Sequence, residues 1–329
     1  LKYTPGFKND EIAAVILSKN RANKIFERVG WSTKKIQDEM NQNLKPLNFQ
    51  LGFLNIKASI NIEPIIKKGA NVVGEIRSRN REFRDEYIVI GAHFDHIGLG
   101  GVGSGSRKPD ANKVHPGADD NASGTSGLLE LAQKLSANVG HLKRSVLLVA
   151  FDAEEKGLLG SKHFIKSSPV DIKNITTMIN MDMIGRMSDS SYTVGGVGTS
   201  PYFEYLLDSL KRGRFFNLIM NKPGFGPSDH ASFYTKDIPV LFFFSGVHDD
   251  YHTPNDIWQL INLKGEKYIL DFIYDLVFHL ARAPEKPVFQ EAGPRQGQMG
   301  SPKKFTVTFG IMPSYVSTEK GLEVDGISR

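Results

Sequence analysis

The chain has 329 residues, 40% of them hydrophobic, and its 41 basic against 36 acidic side chains give a formal net charge of +5. This is enough apolar material for a sizeable core, and the mild positive balance comes without a dense Lys/Arg stripe interleaved with aromatics, which argues against a nucleic-acid partner. The absence of cysteine excludes thiolate metal sites and disulfide frameworks, and no apolar run approaches the roughly 18 residues of a membrane helix.

Residues 9–28, NDEIAAVILSKNRANKIFER, run from a short apolar stretch into an amphipathic helix. The run YIVIGAH (87–93) is apolar on both faces and reads as a buried parallel strand; SVLLVAF (145–151) and ITTMINMD (175–182) read the same way. Between His96 and His115 lies GLGGVGSGSRKPDANKV, too polar and glycine-rich for a core. GADDNASG (117–124) is a glycine-bounded turn, and SGTSGLLELAQKL after it is a helix capped by Asn121 or Ser123. A further helix is expected over 264–283. After it, APEKPVFQEAGPRQGQMGSPKK has the composition of a linker, and FTVTFGIMPSYVSTEKGLEVDGIS holds two β-like runs around a turn. Strands alternating with helices predict an α/β fold.

The ionisable residues that follow these strands form the most informative pattern. His93, Asp120, Glu155, Asp182 and His252 sit in the strings GAHFDH, GADDNASG, FDAEEKG, NMDMIG and DDYHTPND. Strand carboxyl ends are where an open α/β sheet places its ligand crevice. Bare carboxylates buried there would be costly, and divalent cations resolve that cost. Zinc accepts imidazole and carboxylate ligands, and in a paired site about 3.5 to 4 Å wide one carboxylate bridges both ions.

Asp120 is the expected bridge, with Gly117 and Gly124 letting the backbone come close. One ion would take His93, Asp120 and Asp182, the other Asp120, Glu155 and His252. Two such ions against three carboxylates leave a charge of about plus one, which favours a bridging hydroxide as nucleophile. Adjacent side chains of an extended segment point apart, so Glu155 is assigned to metal and Glu154 to proton transfer as general base. Asp95 is placed to accept the second ring N–H of His93, and Tyr251 to donate its hydroxyl to an oxyanion.

In their order and content, these motifs resemble the M28 family of zinc aminopeptidases over about residues 71–283, with all five metal-ligand positions filled. The resemblance implies a dizinc exopeptidase fold (phosphorylase/hydrolase-like), in which a mixed central β-sheet is sandwiched by helices. It also implies two Zn²⁺ per chain, release of N-terminal residues from peptides with a free N-terminus, Glu154 as base, Tyr251 as oxyanion donor and a periplasmic or secreted location. PSDHASFYTKDIPVLFF resembles the family's stretch ahead of the last histidine, placing Ser228, Asp229 and His230 near the substrate without a catalytic role.

On the same reading, 1–45 is an N-terminal segment resembling the tail of a protease-associated domain, and 46–283 is the catalytic domain. Residues 284–304 are a linker and 305–329 resemble the start of a truncated PDZ domain, so the chain reads as part of a longer multidomain protein. The loop between His96 and His115 is expected at the mouth of the cleft, where it shapes or gates entry.

Singly, each motif has a plainer explanation. A lone histidine is usually a surface or core residue, and an EE pair is usually a solvated helix start. His96, His115, His163, His230 and His248 are assigned such roles, while Asp119, Asp249 and Asp250 are left as outer-sphere or solvated groups. Phe225, Phe243 and Phe244 hint at an apolar wall. Two other functions compete with the peptidase. A glutaminyl cyclase would use one zinc and tends to carry Trp before its last histidine ligand, where this chain has Tyr251. A binding module that has lost its chemistry usually lacks ligands or base, and here all are present.

Overall fold

The three apolar runs pair side by side in the computed structural model, which describes residues 17–48, 51–52, 66–101, 103–293, 311–313 and 324–327. The chain divides into two compact units, Leu1–Lys67 and Lys68–Arg329. The described part of the first holds helices α1 (Lys19–Phe26) and α2 (Thr33–Asn43). Ser32 caps α2 by accepting from the Lys35 N–H, and the Asn23 side chain accepts from both the N–H and the hydroxyl of Thr33.

The second unit is built on β1 (Val72–Ile76), β2 (Tyr87–His93), α3 (Gly124–Ala137), β3 (Ser145–Phe151), α4 (Leu159–Lys166) and β4 (Ile175–Met181). It continues through β5 (Ser191–Gly195), α5 (Phe203–Lys211), β6 (Asn217–Met220), α6 (His230–Tyr234), β7 (Val240–Phe244) and α7 (Leu263–Arg282). The sheet order is β1-β3-β2-β4-β7-β5-β6. Its four central strands are parallel, β1 joins β3 antiparallel at one edge, and β5 joins β7 antiparallel before pairing with β6. The sheet is therefore mixed, as expected, and its centre is the parallel part. Beyond α7, Ile311–Pro313 (β8) pairs antiparallel with Val324–Ile327 (β9). The rest of the segment expected to open a PDZ domain, and residues 1–16, lie outside the described residues.

Alternation along the strands supplies two cores. Ile88, Ile90, Val146, Leu148, Ile179 and Phe243 face a layer made by α3, α5 and α7, while Val89, Leu147, Val149, Phe151 and Met178 face α4 and α6. Helix α7 buries Ile269, Phe272, Ile273, Leu276, Val277 and Leu280 at helical spacing. Each such side chain contributes about 1.5 to 3 kcal/mol. Residues 284–293, the first part of the stretch expected as linker, run along this unit: Gln290 N–H donates to the Thr199 carbonyl, and the Ala292 N–H donates to the Tyr234 hydroxyl.

The end of α7 is tied to the start of β3 by Arg144, which is 1% exposed. Its guanidinium donates to the carbonyls of Leu280 and Ala283 at 3.0 and 2.6 Å and to the Glu86 carboxylate at 2.6 Å. Arg144→Ala removes the donor to two helix-terminal carbonyls and the counterion of Glu86. It should lower unfolding free energy by about 3 kcal/mol or more, read as the urea midpoint.

Candidate metal centre and active site

β2, β3 and β4 end on the same edge of the sheet, and each delivers ionisable side chains there. His93 is the last residue of β2 and is 1% exposed. Glu154 and Glu155 follow β3, and Asp182 follows β4. Asp120 comes from the turn ahead of α3, and His252 from the loop between β7 and α7. Residues next to the ligands take strained backbone: Ala153, Met183 and His252 have φ of 53°, 54° and 55°, each costing about 1 to 3 kcal/mol. Rigid strand ends and tight turns together set these side chains.

The five expected ligands converge. His93 Nε2 lies 3.2 Å from Asp120 Oδ1 and 3.4 Å from Asp182 Oδ1. His252 Nε2 lies 3.1 Å from Asp120 Oδ2 and 3.4 Å from Glu155 Oε2. Asp120 thus presents one oxygen to each set. The donor atoms of His93, Asp120 and Asp182 all lie within 4.8 Å of one another. So do those of a second set, His96, Asp120 and Glu155. Residues of this kind at this spacing fit divalent cations that take nitrogen and oxygen ligands.

The supporting contacts differ in part from the sequence reading. His93 Nδ1 is 3.1 Å from the main-chain oxygen of Asp95 and 3.7 Å from its carboxylate. That carboxylate instead accepts the N–H of Glu154 (2.9 Å) and of Glu155 (3.3 Å), so Asp95 fixes the glutamate turn as well as facing the histidine. The two glutamates diverge as expected, although from a turn and not from extended backbone. Glu155 goes to the second ligand set, and Glu154 comes no nearer to His93 Nε2 than 4.0 Å.

Fully buried Asp256 accepts the N–H groups of Asp119 and Asp120 at 3.0 and 3.1 Å, orienting Asp120 from behind. Asn121 accepts from Gly124 N–H as the helix cap and also from Met183 N–H. At Gly117, with φ 60°, a Cβ would sit 2.2 Å from the Asp120 carbonyl, and at Gly124 one would sit 2.5 Å from the Met181 carbonyl. Both glycines permit the close approach expected of them.

Several neighbours assigned bland roles stand at the centre. His96 Nδ1 lies 2.8 Å from Glu155 Oε1, and His248 Nε2 lies 3.2 Å from Asp119 Oδ2. Asp119 is fully buried and its Oδ1 accepts the Gly185 N–H. Ser228 donates to Asp182 at 2.7 Å and accepts from Asn180. His230 stacks on Phe242, and Asp229 is fully buried. Asp250 pairs with Arg186 at 3.0 Å. The wall is made by Phe242 and Phe244, with Met183, Val247 and Tyr251, around a cavity of about 90 Å³ that the ligands also line. Phe243 points to the opposite face, into the α7 core, and Phe225 packs on the α6 side. One residue of strand parity separates wall from core.

The polar loop after His96 is ordered over its described residues by contacts with the His252 segment. Gly105 carbonyl lies 3.0 Å from His252 Nδ1, and Arg107 N–H donates to the His252 carbonyl. Buried His115 braces it, with Nε2 2.8 Å from the Ser106 hydroxyl.

Electrostatics follow from crowding. Burial lowers the His93 pKa, yet Asp182, Asp120 and Asp95 reverse this and hold it well above the ordinary value. For His252, burial is likewise outweighed by Asp120 and Glu155, and its pKa is raised to about 10. Burial works to raise Glu155, but His252 and His96 bring it down to about 2. Glu154 is pushed up to about 9 chiefly by burial, against His93 and with Asp182 and Asp229 adding. Without cations, imidazolium protons neutralise the carboxylates.

Residues 71–277 match the model of Peptidase family M28. The chain belongs to that family. Aminopeptidase YwaD of Bacillus subtilis is 28% identical over 228 residues, which cover 66% of this chain and 46% of that protein. The crystal structure of BSAP, a zinc aminopeptidase from Bacillus subtilis, superposes with a TM-score of 0.53 at 27% identity, covering 68% of this chain and 53% of that one. Porphyromonas gingivalis glutaminyl cyclase shares the fold, with a TM-score of 0.50 at 21% identity over 64% of this chain and 75% of that one. The chain spans about half the length of most of the curated relatives it matches. Among the described residues no helix is long and apolar enough to cross a membrane.

The carboxylates around His93 and His252 favour their protonated forms, so a cation taking the same nitrogens competes with protons. Zinc added at pH 7 to chelator-treated protein in weakly buffered solution should release protons, and zinc affinity should fall as pH is lowered. A pH-stat titration checks both.

Proposed function

We propose that this chain carries the catalytic domain of a zinc aminopeptidase that removes N-terminal residues from peptides, working with two zinc ions and a hydroxide between them. The observation that carries the reading is that two ligand sets meet on Asp120 while Glu154, buried beside them, belongs to neither. Membership of family M28 and the aminopeptidase names of its relatives support it. Zinc in such a pair polarises a peptide carbonyl and lowers the pKa of water bound to it to about 7.

The chain's own residues supply the rest. Glu154 takes the proton from the attacking water and returns it to the departing amine. Its turn is pinned by Asp95, whose carboxylate accepts the Glu154 N–H, so the side chain is held beside both ligand sets, where a proton can be taken up and passed on. Tyr251 lines the cavity with its ring stacked on His252 at 3.8 Å. Burial raises its pKa far above the ordinary value, so the hydroxyl keeps its proton and can donate to the oxygen of the tetrahedral intermediate. The small cavity walled by Met183, Phe242 and Phe244 suits one apolar side chain at the substrate's first position.

The cyclase reading has the shared fold behind it, but a single-zinc enzyme has no use for a second complete ligand set, and Tyr251 stands where a cyclase tends to carry Trp. Glutaminyl peptides incubated with the zinc-loaded protein distinguish the two: free glutamine marks the peptidase, pyroglutamyl peptide the cyclase.

With aminoacyl-anilides, activity should require a free amine, favour leucine or phenylalanine over aspartate, and vanish on N-acetylation. Glu154→Gln should lower kcat by about 10²-fold or more while zinc content is unchanged. Cleavage of acetylated substrate, or near-normal turnover of the variant, would overturn the assignment.

A further inference from the structure

We infer that His96 is a fourth protein ligand of the cation held by Asp120, Glu155 and His252, an inference that rests on the two-cation reading above. His96 closes the string GAHFDH, where a histidine one residue past Asp95 is easily taken as a loop residue. Its side chain is 10% exposed, and Nδ1 points into the carboxylates, 2.8 Å from Glu155 Oε1 and 3.7 Å from Asp120 Oδ2. Despite the 2.8 Å approach, neither His96 Nδ1 nor Glu155 Oε1 has a partner in a well-aligned hydrogen bond. Two buried polar atoms in contact without a hydrogen bond are costly. A cation accepting a lone pair from each removes that cost.

The spacing agrees with a shared ion. Zinc holds imidazole nitrogen at about 2.0 to 2.1 Å and carboxylate oxygen at about 2.0 to 2.2 Å, so two ligand atoms of one ion lie about 3 to 3.5 Å apart. The His96 contacts at 2.8 and 3.7 Å bracket that range, as those of His252 at 3.1 and 3.4 Å fall within it. His96 Nε2 has no hydrogen-bond partner either, so no protein group turns the ring away from the carboxylates.

The ring is also held in place by shape. Gly117 lies against it so closely that a Cβ there would be 2.7 Å from His96 Cγ. The His252 ring meets it edge-on, with centroids 5.7 Å apart. The second cation then has four protein ligands, Asp120, Glu155, His252 and His96, whereas the first has three, His93, Asp120 and Asp182. With one protein ligand more, the second position would anchor the pair, and the first would keep the greater room for substrate.

The test uses the full chain loaded with Co²⁺, whose paramagnetism shifts the exchangeable N–H protons of ligand imidazoles out of the ordinary proton NMR range. Two ions per chain with three such signals, one lost in His96→Ala, is the expected result. In a cobalt titration, His96→Ala should weaken the tighter of the two ions by at least about tenfold and leave the other unchanged. His96→Gln, a milder change, should do the same if the alanine variant does not fold. Two ions with only two imidazole signals, or unchanged affinities in a folded variant, would overturn the role of His96 alone. Fewer than two ions in the unsubstituted protein would overturn the two-cation reading itself.

Discussion

Asp120 faces two sets of ligands at once, with Oδ1 toward His93 and Oδ2 toward His252, and much of the surrounding structure serves that double contact. A carboxylate in such a position must be buried, oriented from behind and reached by groups from three strand ends. Asp256 provides the orientation through two main-chain N–H groups, and glycines at 117 and 124 remove side chains that would block the approach. The parallel strands bring the partners to one edge. What remains is a concentration of negative charge that protons on the histidines neutralise in part, and that divalent cations neutralise more completely.

The strained residues fit the same constraint. Ala153 precedes Glu154, Met183 follows Asp182, and His252 is itself part of the cluster, and each takes a backbone conformation an L-residue avoids. The surrounding elements hold them there because the strands on either side have no freedom to relax: both faces of the sheet are packed, by α3, α5 and α7 on one side and by α4 and α6 on the other. Stability of the scaffold therefore supports local strain at the site.

The central strands were legible because burial on both faces leaves continuous apolar runs, and those runs matched β2 and β3 in extent and β4 to within one residue. The residues at their ends were legible as a set, since no packing role explains ionisable groups there. The edge strands β1 and β6, and β5 next to β6, are short and partly exposed, so they carry no comparable run. Parity along β7 was not readable: three consecutive phenylalanines give no hint of which two face the cavity. His96, His248 and Asp256 were missed as site residues because their importance lies in partners up to 137 residues away. The proximity of His96 to His93 and Asp95 was the one signal that could have found it. Asp95 was read from spacing toward His93, whereas its carboxylate is closer to the main chain of Glu154, a contact set by the pairing of β2 with β3.

The glycine- and serine-rich segment after His96 looks like a stretch free to drift in length, since such composition imposes little on the backbone. Three contacts remove that freedom: the Gly105 carbonyl at His252 Nδ1, the Arg107 N–H on the His252 carbonyl, and the Ser106 hydroxyl at His115. Adding or deleting one residue between Ile97 and Gly105 would move a carbonyl that selects the imidazole tautomer of His252. In evolutionary terms, the loop can change its sequence but hardly its count: composition is loose where register is fixed, so variation in this segment should take the form of substitution more than insertion.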